Sequence, residues 1–203
     1  MDAKKYFSVA LLLVTSSLYA QKNKQLFPEA PGMVSYTYRA NFQKDAAATL
    51  DIVKSNGISD IEFSNLFGKT PAELRRLIDE RGIKCSSYGV GYDDLVNKTD
   101  EVARAARTLG ASYVRVAGIP HVKGSFTLDE ARKAVADFNR CGRLLKEKYG
   151  LGFIYHNHGF EFEPYQDGTL YDYLVKNTDP KYVSFELDIL WAFLPGQDPA
   201  ALL

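Results

Sequence analysis

Two histidines and a glutamate follow an apolar run that begins at Phe153. His156, His158 and Glu161 are the first polar groups after a segment rich in aromatic and β-branched residues, which is typical of a buried strand. Alternate side chains of a strand share a face, so His156 and His158 point the same way with their backbones roughly 6–7 Å apart. Imidazole and carboxylate groups that meet at a strand end could bind a divalent cation or transfer protons.

A second polar pair, Glu186 and Asp188, interrupts the apolar segment 185–191. The two carboxylates share one face of the predicted strand, and their burial is costly unless they are paired or bound to a cation. One interpretation is structural pairing, and the other, which we favour, is a metal site shared with the histidines. The ligand types suit Mn²⁺, Co²⁺, Zn²⁺ or Mg²⁺ without choosing among them.

Three further polar side chains, Glu62, Tyr88 and His121, fall at or near the ends of other predicted strands. Taken singly, Glu62 is best explained as the partner of a neighbouring cation and His121 as an exposed loop residue. Their common position makes them candidates, because the active sites of α/β folds gather where parallel strands end.

The elements that must position these groups alternate along the chain. We predict strands at 33–38, 58–63, 83–88, 111–117, from 153 onward, and at 182–187. We predict helices at 45–56, 70–82, 100–109, 128–149 and 170–176, with a sixth beginning at 198–199. Thr70 with Glu73, and Thr127 with Glu130, have the spacing of capping boxes. Strand–helix alternation predicts a parallel sheet, either open and doubly wound or most of an eight-stranded barrel.

Glycines separate the predicted helices from the strands that follow them, at positions 57, 82, 110 and 150. The only candidate phosphate-binding turn is Gly89-Val90-Gly91. It lacks a third glycine and is followed by Asp93 and Asp94, whose charges would repel a phosphate, so it carries little weight.

Composition predicts a globular protein that binds neither nucleic acid nor an anionic membrane surface. The 203 residues are 46% hydrophobic and 25% charged, which is enough for one domain with a core. The chain has 25 basic residues (Lys and Arg) and 25 acidic residues (Asp and Glu), so it has no net positive charge to attract a polyanion. A small ligand of little charge is the better expectation.

The first twenty residues predict a secretory signal peptide, with Lys4 and Lys5 before an apolar run and Ala20 at its end. A buried N-terminal helix is the less favoured alternative. We therefore expect an exported protein, periplasmic or secreted, with no membrane anchor after cleavage and an extension at 21–32 before the domain. Cys85 and Cys141 are expected to be buried free thiols rather than a disulfide.

Four segments resemble the xylose-isomerase-like TIM barrels, the sugar phosphate isomerase and epimerase superfamily. They are Gly57–Glu62, Leu109–Val116, Tyr155–Phe162 and Leu187–Trp191. The likeness runs from about Met33 to the last residue, and the His-Asn-His and Leu-Asp sequences are its most specific parts.

This resemblance implies an α/β fold, the (β/α)8 barrel, with one divalent metal held by strands five to eight. The metal polarises a ketose, and acidic groups move a proton through an enediolate. The resemblance implies His156 and Asp188 as metal ligands, although glutamate is usual at the first position, and it implies His158 and Glu161 as catalytic groups. The residues expected to bind substrate are Glu62, Tyr88, His121, Glu186 and Trp191.

Strands seven and eight of such a barrel have no counterpart in the sequence, so we expect about six of eight units and a chain that alone is poorly stable and inactive. The favoured function is a metal-dependent isomerase or epimerase of a sugar or sugar derivative. The alternatives are a lyase or hydratase acting on a keto-sugar and a non-catalytic sugar-binding barrel. An apurinic endonuclease is disfavoured by the balanced charge.

Overall fold

Six parallel strands form one curled sheet with helices along its outer face, which is a partial TIM barrel. The structure is a computed structural model that describes residues 31–203, so the predicted signal peptide at 1–20 lies outside the described residues, as does most of the extension at 21–32. The strands are β1 (Met33–Val34), β2 (Asp60–Phe63), β3 (Lys84–Val90), β4 (Tyr113–Val116), β5 (Gly152–His156), β6 (Pro164–Tyr165), β7 (Gly168–Thr169) and β8 (Ser184–Glu186). The sheet order is β1-β2-β3-β4-β5-β8, and β6 and β7 form a separate antiparallel pair. The predicted α/β barrel class is confirmed.

Eight helices are present in the described part of the chain. They are α1 (Arg39–Lys44), α2 (Ala46–Ser55), α3 (Pro71–Asp79), α4 (Tyr92–Asn97), α5 (Thr99–Leu109), α6 (Leu128–Tyr149), α7 (Leu170–Asn177) and α8 (Ile189–Phe193). Both predicted capping boxes are confirmed, at Thr70–Glu73 and Thr127–Glu130, and Thr169 with Asp172 forms a third one. None of the helices in residues 31–203 has the length and apolarity needed to cross a membrane.

Alternation along the strands separates a packed outer face from a polar inner face. On β4, Val114 and Val116 are fully buried, whereas Arg115 between them lines the inner cavity. On β5, Phe153 and Tyr155 each pack against Phe138 of α6 with ring centroids 5.0 Å apart. The strands therefore bury an apolar core under the helices and turn their remaining side chains inward.

The first strand is shorter than predicted because its third residue turns the chain. The prediction of a strand over 33–38 was wrong beyond Val34, where a 3-10 turn over Ser35–Tyr38 leads into α1. The hydroxyl of Ser35 is buried and accepts the backbone N–H of Ser64 across 2.8 Å. That bond holds the turn against the end of β2 instead of extending β1.

The last strand also ends early, and a helix follows at once. The strand predicted at 182–187 is observed at Ser184–Glu186, and α8 begins at Ile189 because the Asp188 carboxylate accepts the N–H groups of Leu190 and Trp191 at 2.9 and 3.1 Å. An acceptor at this position caps the first turn of a helix. The helix predicted at 198–199 is absent, and residues 199–202 form turns.

The buried cysteines fit the prediction of two free thiols. Burial raises the pKa of Cys85 to about 12 and also raises that of Cys141. Both side chains therefore act as small apolar core groups rather than as nucleophiles.

Helix α6 contains a glycine where packing forbids a larger residue. A Cβ at Gly142 would come within 2.4 Å of the Tyr182 carbonyl oxygen. We expect Gly142→Ala to lower the free energy of unfolding, because overpacking costs about 1–3 kcal/mol, more than the roughly 1 kcal/mol gained in helix propensity. Urea denaturation would measure this change. Gly118→Ala is the matched control, since a Cβ there meets nothing within 4 Å, and an equal effect in both variants would contradict the packing argument.

Candidate active site

The inner face of the sheet opens into a cavity of about 620 Å³ at the carboxyl ends of the strands. Its floor is formed by charged or ionisable side chains from four strands and the loop after β8. These are Glu62, Arg115, His156, Glu186 and Asp188. Charged groups at this end of a parallel barrel are where active sites of this architecture occur.

His156 is held between two carboxylates. It is the direct register partner of Glu186 across β5 and β8, and its Nδ1 donates a hydrogen bond to Oε1 of Glu186 at 2.9 Å. Because a carboxylate only accepts, Nδ1 carries the hydrogen of this bond, and Nε2 is the ring nitrogen that points away from Glu186. That Nε2 lies 3.6 Å from Oδ2 of Asp188. Nε2 of His156 and Oδ2 of Asp188 therefore face each other, and Glu186 holds the ring from its other nitrogen.

Glu62 and Arg115 form a buried ion pair in the same floor, close to Glu186. Nε of Arg115 lies 2.5 Å from Oε1 of Glu62, a charge contact without the angles of a hydrogen bond. Gly89, the register partner of Arg115 on β3, makes room for it, since a Cβ there would lie 2.8 Å from the guanidinium. The ion pair keeps both charges in a site with little access to water.

The two glutamates of the floor differ in proton affinity. Burial raises the pKa of Glu62 above its ordinary value, Arg115 opposes that rise, and the nearby Glu186 adds to it. Burial alone would raise the pKa of Glu186 too, but its hydrogen bond with His156 and the charges of His156 and Arg115 bring it below its ordinary value. Glu62 is thus the carboxyl group that keeps a proton more readily.

Asn157 ties the ends of β5 and β8 together. Its side chain is fully buried, its Oδ1 accepts the N–H of Asp188 at 2.8 Å, and its Nδ2 donates to the Asp188 carbonyl at 3.3 Å. The amide therefore fixes the backbone of Asp188 from both sides. This contact sets the separation of Asp188 from His156.

His158 is a neutral ring beside this pair. It lies 5.2 Å from His156 between ring centroids, and its Nδ1 is buried without a hydrogen-bond partner in the described residues. Burial lowers the pKa of His158, and the charge of His156 lowers it further. The imidazole therefore remains uncharged near neutral pH.

Glu161, predicted as a catalytic group, is not among the residues that line the cavity. It is fully buried behind the loop after β5, where the Tyr155 hydroxyl donates to it at 2.5 Å. The backbone N–H of His158 donates to both of its oxygens at 3.0 Å. Glu161 thus holds the loop that carries His158.

Three of the remaining predicted residues line the main cavity, and the other two do not. Glu62, Glu186 and Trp191 line the main cavity. Tyr88 is buried outside the cavity lining, and burial raises the pKa of its hydroxyl. His121 lines a neighbouring hollow together with Trp191.

Sequence reasoning did not single out Arg115 or Asn157 as members of this site. Arg115 could have been found by the signal that identified Glu186, because a charged residue between two valines of a buried strand needs a partner. Asn157 lies between two histidines that attracted attention instead. Nothing in its spacing indicates which backbone groups it binds.

Solved structures share this architecture. A sugar phosphate isomerase/epimerase from Parabacteroides distasonis aligns with a TM-score of 0.72 and 25% identity, covering 84% of this chain and 72% of that chain. A second structure described in the same words, also from that organism, gives 0.69 and 23%, covering 89% and 73%. The IOLI protein, described with a bound zinc atom, gives 0.56 and 15%, covering 73% and 59%.

The chain has the fold of the xylose-isomerase-like TIM barrels. The resemblance expected from the sequence is confirmed at that level. No protein-family model matches the chain, and no curated protein matches it in sequence.

Stability should depend on the protonation of Glu161. Burial raises its pKa, although hydrogen bonds from Tyr155 and from the His158 backbone oppose the rise. A carboxyl group with a raised folded-state pKa contributes stability that is complete below its unfolded-state pKa and is lost as pH rises through the folded value. We therefore expect the native protein to lose stability relative to Glu161→Gln as the pH rises above about 4.3.

Urea denaturation of both proteins from about pH 4 to about pH 8 would measure this difference. The exposed Glu163 supplies the control, because Glu163→Gln should leave the pH dependence of the native protein unchanged. A stability difference between native protein and Glu161→Gln that stays constant across the range would contradict the assignment.

Proposed function

We propose that the protein is a metal-dependent isomerase or epimerase of a sugar or sugar derivative. The observation that carries the proposal is the pair formed by His156 and Asp188, with Nε2 and Oδ2 3.6 Å apart at the floor of the cavity. The floor also holds Glu62, a second acidic group whose pKa is raised by burial, which makes its carboxylate a stronger proton acceptor. A cation site and a proton-carrying group in one cavity are the requirements of sugar isomerisation through an enediolate.

The residues present suit a divalent cation. Two donors bound to Zn²⁺ at about 2.0–2.2 Å lie at most about 4.4 Å apart, and the His156–Asp188 separation of 3.6 Å is within that limit. A ligating histidine commonly donates its other N–H to a carboxylate, as His156 does to Glu186. Among residues 31–203, no three His, Cys, Asp or Glu side chains converge as a complete cation site. His156 and Asp188 would hold the cation, which supplies polarisation of a substrate carbonyl or hydroxyl oxygen.

The chain's own residues would bind the sugar and move a proton. Glu62 would accept and return the proton, because its raised pKa makes the carboxylate a stronger base, and Arg115 keeps Glu62 in place. His158 remains a catalytic candidate because it is neutral and borders the cavity. Glu161 supports His158 from behind, so we assign it a positioning role.

The proposed substrate is not defined by a phosphate group. In the described residues the cavity floor carries three carboxylates, Glu62, Glu186 and Asp188, and one arginine that is already paired. Arg115 is the only cationic side chain in this lining and already pairs with Glu62, so the described residues offer no free cationic side chain to a phosphate ester. A free or oxidised sugar agrees with this lining and with the export proposed from the first twenty residues.

Metal binding tests the central pair directly. We expect His156→Ala and Asp188→Asn to abolish measurable binding of Mn²⁺, Co²⁺, Zn²⁺ or Mg²⁺ by calorimetry. Glu186→Ala should weaken binding about 10–100-fold, because it removes the group that orients the ring. Glu163→Gln is the control carboxylate and should bind as the native protein does. Unchanged metal affinity in His156→Ala would contradict the assignment of His156 as a metal ligand.

Isotope exchange tests the reaction class. Incubation of the full-length protein with the metal and candidate aldoses, ketoses and keto-sugars in D₂O should give a deuterated isomer or epimer. Glu62→Gln should slow exchange at least about 100-fold, the lower range for a lost general acid or base. An unsaturated or smaller product would instead favour a lyase, and binding without exchange or turnover would favour a non-catalytic barrel.

A further inference from the structure

A second hollow of about 440 Å³ adjoins the main cavity. Both are lined by Ala117, Gly118, His158 and Trp191, so they form one continuous space. Each volume is within the range of about 300–1,000 Å³ found for ligand sites. Within the described residues no Asp, Glu, Lys or Arg lines the second hollow, in contrast to the charged floor of the first.

The wall of this hollow is a fixed aromatic surface. The His121 ring stacks on Phe160 with centroids 3.9 Å apart, and Phe126 packs edge-on against both rings from behind. Nδ1 of His121 donates to the Ile119 carbonyl at 2.7 Å, which fixes the orientation of the ring. The rings are therefore held in place before any ligand arrives.

Trp191 lies at the junction of the two hollows. Its ring centroid is 5.3 Å from that of His158, and 39% of the residue is exposed. Together with Phe160 and His121 it presents aromatic surface to the continuous space. We call these three residues the aromatic wall.

We propose that the aromatic wall is a subsite for a second ring, so that the substrate is a glycoside rather than a free monosaccharide. This inference rests on the proposed sugar-directed function. The reacting sugar would place its hydroxyl groups at the charged floor, and the ring joined to it would lie on the wall. Flat aromatic surfaces bind the apolar face of another ring, whether an aryl group or the C–H face of a sugar, through burial and stacking.

The single tryptophan of the chain makes the test direct, because fluorescence reports on Trp191 alone. The full chain is titrated with methyl and phenyl β-glucosides, with the corresponding galactosides, and with cellobiose. We expect a phenyl glycoside or cellobiose to bind roughly tenfold tighter than the methyl glycoside of the same sugar. A gain for the phenyl compound indicates an aryl group, and a gain for cellobiose indicates a second sugar.

Variants of the aromatic wall identify where the second ring binds. Phe160→Ala, and the better space-filling Phe160→Leu, should remove the preference while leaving the affinity for methyl glycosides unchanged. Val122→Ala is the control, since Val122 is 72% exposed on the loop that carries His121 and does not line the hollow. Melting temperatures establish that each variant is folded.

Several outcomes would overturn the proposal. The first is equal affinity for methyl glycosides and two-ring ligands, and the second is no binding of any of them at millimolar concentration. The third is an equal loss of affinity for both ligand types in Phe160→Leu. The assay measures binding and not turnover. A retained two-ring preference without isomerisation would refute the proposed function alone, whereas isomerisation without that preference would refute only the subsite.

Discussion

The buried amide of Asn157 is the contact on which the geometry of the site depends. Parallel strands end with backbone groups that need partners, and here one side chain meets both the N–H and the carbonyl of Asp188. An unpaired buried backbone group costs about 1–3 kcal/mol, so the two bonds strongly favour one arrangement of the strand ends. His156 precedes Asn157 on β5, and the same contact therefore sets its distance from Asp188. Asp188 in turn caps α8, which carries Trp191.

The charged floor is tolerated because its charges are distributed in pairs. Glu62 contacts Arg115, and His156 contacts Glu186, each across neighbouring or facing strands of the inner surface. Removing one member would leave an uncompensated charge in a poorly hydrated place, which is strongly destabilising. The proton affinities of the two glutamates differ because burial raises the pKa of Glu62, whereas the hydrogen bond and charge of His156 lower that of Glu186. The pairing of His156 with Glu186 thus both compensates a charge and tunes a carboxyl group.

The sequence predicted the elements whose signals are local. Thr127 and Glu130 mark a helix start through their spacing alone, and Gly150 marks its end because its positive φ of 67° suits glycine. It did not predict that the first strand ends at Val34 or that a helix follows the last strand at once. These features depend on the bond between the Ser35 hydroxyl and Ser64 and on the capping of Leu190 by Asp188, and in the sequence Ser35 and Asp188 look like ordinary residues of a strand.

The candidate site was predictable in part, because some of its residues also have a local signal in the sequence. His156, Glu186 and Asp188 stand out because polar groups in an apolar strand require partners, and the structure brings them together. Glu161 stood out equally, yet its partners are Tyr155 and the backbone of its own loop. The spacing of residues in the chain shows that a buried carboxylate needs a hydrogen-bond or ionic partner. It does not show which group that partner is.

The arrangement of polarity across the site follows from the order of the strands. Charged residues come from β2, β4, β5 and β8, which meet only after the sheet has curled, whereas His121 and Phe160 lie on loops that extend beyond it. The cavities of the floor and the wall share Ala117, Gly118, His158 and Trp191, so a ligand on the floor lies beside the aromatic wall. Electrostatic interactions strengthen as water is excluded, so a ring resting on the wall would also shield the floor from solvent. Binding of the second ring and the chemistry proposed at the floor are in this way physically linked, although different parts of the chain provide them.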